Sequence, residues 1–323
     1  MTVIFLELVI QTEILQVICL CNLHICAAMK NYPAKLLLFG EHILLLGASA
    51  LAVPVPAFGG HWEQASAKAD VRGLQMRLSE FVASELWKEI PGVDVAQLKK
   101  DLLLGLFFRS DIPVGYGLGS SGALCAAIYD RYCRVKTNDL TGLKSIFARM
   151  ESFFHGSSSG LDPLTSYLNK PLLISNKSDI SVVEMAEWKA ARPVVFLLDT
   201  QLPRQTGPLV QWFLERSGDA AFSQKMKVGL LPAHEAMVQA WLEAGAAVFW
   251  LNLRRVSRFQ FDHFGPLIPS TVKDLWQKNL DNEDLAFKIC GAGGGGFILG
   301  FAKSQEMTEH LPATFRIIFP FTP

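Results

Sequence analysis

The stretch Pro113–Leu124, PVGYGLGSSGAL, decides how the chain is read. It joins an apolar run, LLLGLFFRSDIP, to an alanine-rich segment, GALCAAIYDRYC. The first reads as a strand and the second as a buried helix, so Gly115, Gly117 and Gly119 fall in a strand-to-helix turn. Glycine takes positive φ and lets a ligand approach the main chain. Consecutive N–H groups at the head of a helix attract an anion. Ser120 and Ser121 add hydroxyls suited to phosphate oxygen or Mg2+. The spacing fits neither G-x-G-x-x-G nor a P-loop ending in Gly-Lys-Ser/Thr. Standing alone, a tight turn would account for the string equally well.

Composition narrows the function. The chain has 323 residues, half of them hydrophobic, enough for one large domain or two of ordinary size. Its 30 basic and 30 acidic side chains cancel and no basic run occurs, which excludes a broad nucleic-acid surface and favours a small-molecule partner. Residues 1–28, MTVIFLELVIQTEILQVICLCNLHICAA, contain no Lys or Arg and so lack the positive region of a secretory signal. Glu7 and Glu13 interrupt the apolar run, against a bilayer span. Met29 then opens MKNYPAKLLLFGEH, a natural domain start, so residues 1–28 read as an overlong gene start or else as an apolar extension that packs on the domain or a partner. Cys19, Cys21, His24 and Cys26 are too compressed for a zinc knuckle. Cys125, Cys133 and Cys290 lie in apolar surroundings, as reduced core residues of a cytoplasmic protein do. No stable membrane association is expected.

Strands and helices alternate from Tyr32 onward. KLLLFGEH and ALAVPVPAF read as strands joined at Gly47, and VRGLQMRLSEFVASELWKEI as a helix. LTGLKSIFARMESFF reads as a helix with Thr141 as its cap. PVVFLLDT, AFKIC, FILGFA and TFRIIFPF read as strands, and the long helical region from His234 breaks near Gly245. The pattern is mixed α+β, with a boundary between Lys177 and Arg192.

Three further stretches supply chemistry. Pro33–Pro56 places Lys35 at the head of a strand and Gly-Glu-His (Gly40, Glu41, His42) at its end. ESFFHGSSSGLDP, Glu151–Pro163, holds two carboxylates eleven positions apart around His155 and a small-residue loop. Lys288–Phe301, KICGAGGGGFILGF, puts a glycine run between two strands. In order and spacing these stretches, with Pro113–Leu124, resemble the signatures of the GHMP kinases over residues 30–323. Phe-Gly-Glu-His, ESFFHGSSSGLD and DTQLPRQTGPLV (Asp199–Val210) are most similar to the mevalonate kinase branch.

The resemblance implies a two-domain α+β GHMP kinase fold. Residues 29–185 would form an ATP-binding domain like ribosomal protein S5 domain 2, and residues 186–323 a ferredoxin-like domain. It further implies transfer from ATP, with Mg2+, to the hydroxyl of mevalonate, giving 5-phosphomevalonate for isoprenoid precursors. Asp162 would be the catalytic base and Lys35 its cationic neighbour. Gly115, Gly117, Leu118, Gly119, Ser120 and Ser121 would bind ATP, and Ser121 and Glu151 the metal. Glu41, His42, His155 and Thr206 would lie toward the substrate, with Gly293, Gly294 and Gly295 as a supporting loop. A homodimer would suit the family. Another GHMP kinase, acting on phosphomevalonate or a sugar, or a catalytically silent member that only binds, stays open.

Each assignment has a plainer counterpart: Asp162 as a helix cap, Glu151 as an outward helix position, Lys35 as a strand-start surface residue, the histidines and Glu41 as satisfied structural groups. The sequence also departs from the family pattern. Ala34 replaces a usual glycine, Ser158 a usual proline and Gly122 a usual alanine, and Tyr116 stands where a small residue is common. Tyr116 and Ser158 are expected to border the pocket and so to bear on which alcohol is accepted.

Overall fold

The computed structural model describes residues 30–64, 74–189, 192–203 and 206–322, so residues 1–28 and their Cys-His cluster lie outside the described residues. β1 (Tyr32–Phe39) and β2 (Ala50–Gln64) pair antiparallel. Between them a 3-10 turn, Ile43–Leu46, closes on Gly47 at φ 97°, so the expected turn has a helical lead-in. β2 extends well beyond ALAVPVPAF, and its far end pairs with β3 (Leu106–Ser110). β4 (Leu172–Ser175) pairs with the start of β2, and β5 (Asp179–Val182) completes a five-stranded antiparallel sheet.

The helices of this half are α1 (Leu74–Ala83), α2 (Val95–Leu103), α3 (Ser120–Tyr132), α4 (Leu140–His155) and α5 (Leu161–Leu168). Two expectations need correction. The leucines of LLLGLFF do not begin a strand: Leu102 and Leu103 end α2, whose first turn is capped by the Asp94 carboxylate accepting from Gln97 N–H at 3.0 Å. Gly105, at φ 91°, then breaks the chain into β3. Nor does Thr141 cap α4. Asp139 does, accepting from the N–H groups of Thr141 and Gly142, because a carboxylate one position outside the helix reaches the orphan donors.

α3 is buried on every face from Ser121 to Tyr129, as expected of a central helix. It packs against α4, α5 and β1.

The second half begins with β6 (Val194–Asp199) and continues through α6 (Thr206–Ser217), α7 (Ala220–Lys225), a π-helical turn at Met226–Leu230, α8 (Leu231–Leu242), α9 (Ala246–His263) and α10 (Ser270–Lys278). The break between α8 and α9 falls at Gly245, as the sequence suggests. β7 (Leu285–Ile289), β8 (Phe297–Ala302), a short α11 (Glu306–Glu309) and β9 (Arg316–Ile318) follow. β9 is shorter than TFRIIFPF, which runs into Pro320, a residue with no N–H for a ladder. The strands order as β7-β8-β6-β9, all antiparallel. Numbered within this half the order is 2-3-1-4, the ferredoxin-like arrangement.

Aromatic packing joins the halves. Phe39, the last residue of β1, stacks on Phe301 of β8 at 6.1 Å and meets Trp241 of α8 edge-on at 5.6 Å. All three rings are at most 1 % exposed, and burying each contributes roughly 1.5–3 kcal/mol of transfer free energy. This packing fixes the turn after β1, and therefore Glu41 and His42, against the second sheet.

Candidate active site

The loop before α3 is held from below. Gly115, Gly117 and Gly119 take φ of 82°, 78° and 74°, conformations that strain any residue with a Cβ. Leu118 between them is fully buried, and its carbonyl accepts from the Lys35 N–H of β1 at 2.8 Å. A Cβ at Gly115 would meet no atom within 4 Å, so the surface of the loop is open to a ligand. The N–H groups of α3's first turn lie at the same place, a donor array for an anion.

Lys35 uses both its backbone and its side chain. Its ammonium lies 2.6 Å from Asp162 Oδ1 and is nearly buried. Asp162 sits in the first turn of α5, where a negative charge is favoured by the helix dipole, while Gly160, at φ 73°, is the cap. Close packing makes this possible. A Cβ at Gly119 would lie 3.2 Å from the Asp162 carboxylate, and one at Gly122 would lie 2.9 Å from its main chain. The departure at Gly122 thus lets α5 approach α3 directly.

A second carboxylate is kept apart. Glu151, on the last turn of α4, is 4 % exposed. Its Oε1 accepts from Ser121 Oγ at 3.1 Å and its Oε2 from Ser158 Oγ, and Ser158 in turn accepts from Gly160 N–H at 3.0 Å. Ser121 Oγ also lies 2.8 Å from His155 Nε2. One hydroxyl proton serves one acceptor, so with Ser121 donating to Glu151, His155 donates its Nε2–H to Ser121. Burial, then the charge of Asp162, pushes the Glu151 carboxyl up to about 7, against the pull of Ser158, Lys35 and Ser121.

These groups share a cavity of about 730 Å3 whose lining includes Gly115, Gly117, Gly119, Ser120, Ser121, Glu151, His155, Ser158, Asp162 and Thr206. Ser121 and Glu151 present oxygen donors only, the ligand type Mg2+ takes, so they fit that ion. Among the described residues no group of three or more His, Cys, Asp or Glu could hold a metal. An ion here would complete its shell with water or ligand oxygens.

Other expected site residues lie elsewhere. Glu41 is buried in an ion pair with Lys288 of β7, and the charge is shared across the two sheets. Burial raises its carboxyl above the ordinary range despite the opposing Lys288 ammonium. His42, at φ 61°, places Nε2 3.0 Å from the Ala292 carbonyl and its ring 5.0 Å from that of Phe213. Gly293, Gly294 and Gly295 lie against Leu267, Leu209 and the Leu202–Pro203 carbonyls, where a Cβ would come within 2.4–2.8 Å. They are absent from the cavity lining, as are Glu41 and His42. Ser158 borders the pocket as expected, but Tyr116 does not: its ring turns away onto Phe297 at 4.8 Å. A large apolar ring finds a buried partner there and would be solvated in the cavity.

Sequence reasoning missed Ser157, Ser159, Val210 and Gln211 in the lining. Val210 and Gln211 stand four and five positions after Thr206, one turn along the same helix, so its phase carried the signal. It also missed Lys288, although a lysine inside the apolar strand LAFKI requires a buried carboxylate.

Comparison with known proteins finds similar sequences and folds. Residues 80–170 match the family model described as GHMP kinases N terminal domain. The mevalonate kinase of Thermococcus gammatolerans is 28 % identical over 162 residues, 43 % of this chain and 48 % of that protein, so the chain spans about half the length of this relative in the match. The mevalonate kinase of Thermococcus sibiricus is 28 % identical over 313 residues, 86 % of this chain and 90 % of the relative. Among solved structures, the L. major mevalonate kinase in complex with R-mevalonate superposes with TM-score 0.59 at 16 % identity, covering 92 % of this chain and 97 % of that one. The Lactococcus lactis galactokinase complexed with galactose superposes with TM-score 0.62 at 13 % identity, covering 86 % of each. The fold alone therefore does not choose between these acceptors.

Proposed function

We propose that the chain is a GHMP kinase, as the match of residues 80–170 to that family's N-terminal model and the similarity to mevalonate kinases support, and that it is an ATP- and Mg2+-dependent kinase that phosphorylates the hydroxyl of mevalonate to give 5-phosphomevalonate. Residues 29–185 serve as the ATP-binding domain and residues 186–323 as the C-terminal domain, acting in the cytoplasm. The observation that carries the reading is the Lys35–Asp162 pair, held against the glycine loop through the Leu118 carbonyl, with Ser121 and Glu151 facing the same cavity. Bound MgATP supplies the phosphoryl group. The protein's own work is positioning, charge neutralisation and proton transfer, which is what phosphoryl transfer asks of it. Asp162 accepts the proton of the acceptor hydroxyl. Lys35 orients that carboxylate and sets a positive charge beside the transferring group. The loop 115–119 and Ser120 receive phosphate oxygens, and Ser121 with Glu151 provides the metal's protein ligands. Two carboxylates so close do separate work because Lys35 binds one and serine hydroxyls bind the other. Support for the acceptor comes from the mevalonate kinases to which the chain is similar.

The test is ADP release with MgATP and mevalonate, phosphomevalonate, galactose or homoserine, alongside Asp162→Ala. Turnover on mevalonate that the substitution abolishes supports the reading. Turnover confined to another acceptor replaces the substrate, and ATP binding without any turnover would point to a silent member.

A further inference from the structure

Tyr116 occupies an unusual position for a side chain so near an anion loop. It lies between Gly115 and Gly117, both at positive φ, and Val114 beside them is 72 % exposed. Downstream the loop is fixed to the first sheet by the Leu118 carbonyl and the Lys35 N–H. At Tyr116 it crosses to the second sheet instead. The ring lies 4.8 Å from that of Phe297, tilted by 57°, and the Tyr116 main chain abuts Gly296, where a Cβ would come 3.3 Å from the Tyr116 Cα. Phe297 pairs in register with Asp199 of β6, and Asp199 faces the phenol closely enough that, after burial, its charge raises the Tyr116 hydroxyl's pKa.

This seat is itself rigid. Phe297 is 1 % exposed. The Gly296 carbonyl accepts from both the N–H and the hydroxyl of Thr200, at 3.0 and 2.7 Å, and the Gly296 N–H donates to Leu202 at 2.8 Å. A loop with glycines on both sides of the contact would otherwise lose considerable backbone freedom whenever it ordered around an anion. A side chain that anchors it beforehand removes part of that cost from binding.

We propose that Tyr116 is a positioning residue that latches the anion loop 113–119 onto the second sheet through Phe297, so that the latch helps set affinity for a nucleotide's phosphates. The proposal rests on the reading of that loop as an ATP site. The latch belongs to this chain's own departure from a small residue at 116. It leaves Asp162, Ser121 and Glu151 untouched, because the ring lies on Phe297 and Tyr116 is absent from the cavity that they line, and with Asp162 it leaves the paired Lys35.

The test uses the full chain with Tyr116→Ala, Tyr116→Phe and Tyr116→Leu, the last retaining apolar volume should the alanine variant fold poorly. Amide hydrogen exchange over residues 113–119 is measured without nucleotide, and MgATP affinity by calorimetry. Loop exchange should quicken about tenfold in Tyr116→Ala and MgATP should bind about tenfold more weakly, with KM for ATP rising and kcat nearly unchanged. Tyr116→Phe should restore both, and Tyr116→Leu should fall between. Unchanged exchange and affinity in Tyr116→Ala would overturn the latch. Faster exchange at unchanged affinity would overturn its role in binding. Failure of the wild-type chain to bind MgATP would remove the ATP reading itself, a result distinct from the other two because it appears before any substitution.

Discussion

Lys35 Nζ stands 2.6 Å from Asp162 Oδ1, and the two partners are unequally buried, the lysine side chain 9 % exposed and the aspartate 27 %. The asymmetry separates catalysis from stability. Asp162→Asn keeps an oxygen for Lys35 but removes the base, so kcat should fall about 10²–10⁴-fold while MgATP affinity changes little. Removing the aspartate altogether strands a buried ammonium, whereas Lys35→Met leaves a carboxylate that water can reach. Thermal denaturation should therefore show a lower Tm for Asp162→Ala than for Lys35→Met. An Asp162→Asn enzyme with more than a tenth of wild-type turnover would show that the base lies elsewhere.

Gly119 bears on the same carboxylate from the side of the anion loop. Its φ of 74° disfavours any L side chain by about 1–2 kcal/mol, and a Cβ there would press on Asp162 Oδ2 at 3.2 Å. Gly119→Ala should lower kcat at least about tenfold through displacement of the base, since small misplacements of reacting groups are costly. Steady-state kinetics with saturating ATP would check it. Wild-type kcat in this variant would mean that the loop and Asp162 are not in contact as described.

Much of this site is legible in the sequence because its parts are local. Periodicity and glycine placement give the strand, helix or turn that carries Lys35, Glu151 and Asp162, the resemblance to GHMP kinase motifs is what singled the three out, and the structure brings them together. What escaped depends on partners far along the chain. Glu41 meets Lys288 across 247 positions, and the direction of the Tyr116 ring is set by Phe297 in the other sheet. Neither pairing leaves a mark in the few residues around either partner. The misread start of β3 had another cause, since three consecutive leucines suit a helix end as well as a strand and only the Asp94 cap distinguishes them. Leu103, 89 % exposed, shows that no burial was available to decide the matter.

The Glu41–Lys288 pair ties the turn after β1 to β7 with both side chains almost fully buried. Breaking a buried pair by removing one partner leaves the other charge uncompensated, at a cost of about 3–5 kcal/mol. Lys288→Met and Glu41→Met should each destabilise by this order in urea titrations. The double variant should recover much of the loss, because an apolar pair of similar volume carries no desolvation penalty. Additive losses in the double-mutant cycle would show that the two groups do not depend on one another.

Glu151 makes stability depend on pH in the direction opposite to an ordinary surface carboxylate. Folding raises its pKa from 4.5 to about 7, chiefly by burial and next by the charge of Asp162. Between those values the folded chain holds a proton that the unfolded chain has released, so stability falls as pH rises. The contribution is complete below about 4.5 and lost as pH passes through about 7. Denaturant titrations without Mg2+ should show this decline in the wild type and a flatter profile in Glu151→Gln, whose side chain keeps the serine contacts without titrating. Over the same window Mg2+ affinity should rise, because a metal requires the ionised carboxylate. Parallel pH profiles for the two proteins would show that Glu151 is already ionised in the fold, and its burial would then be offset more fully by Ser121, Ser158 and Lys35 than proposed.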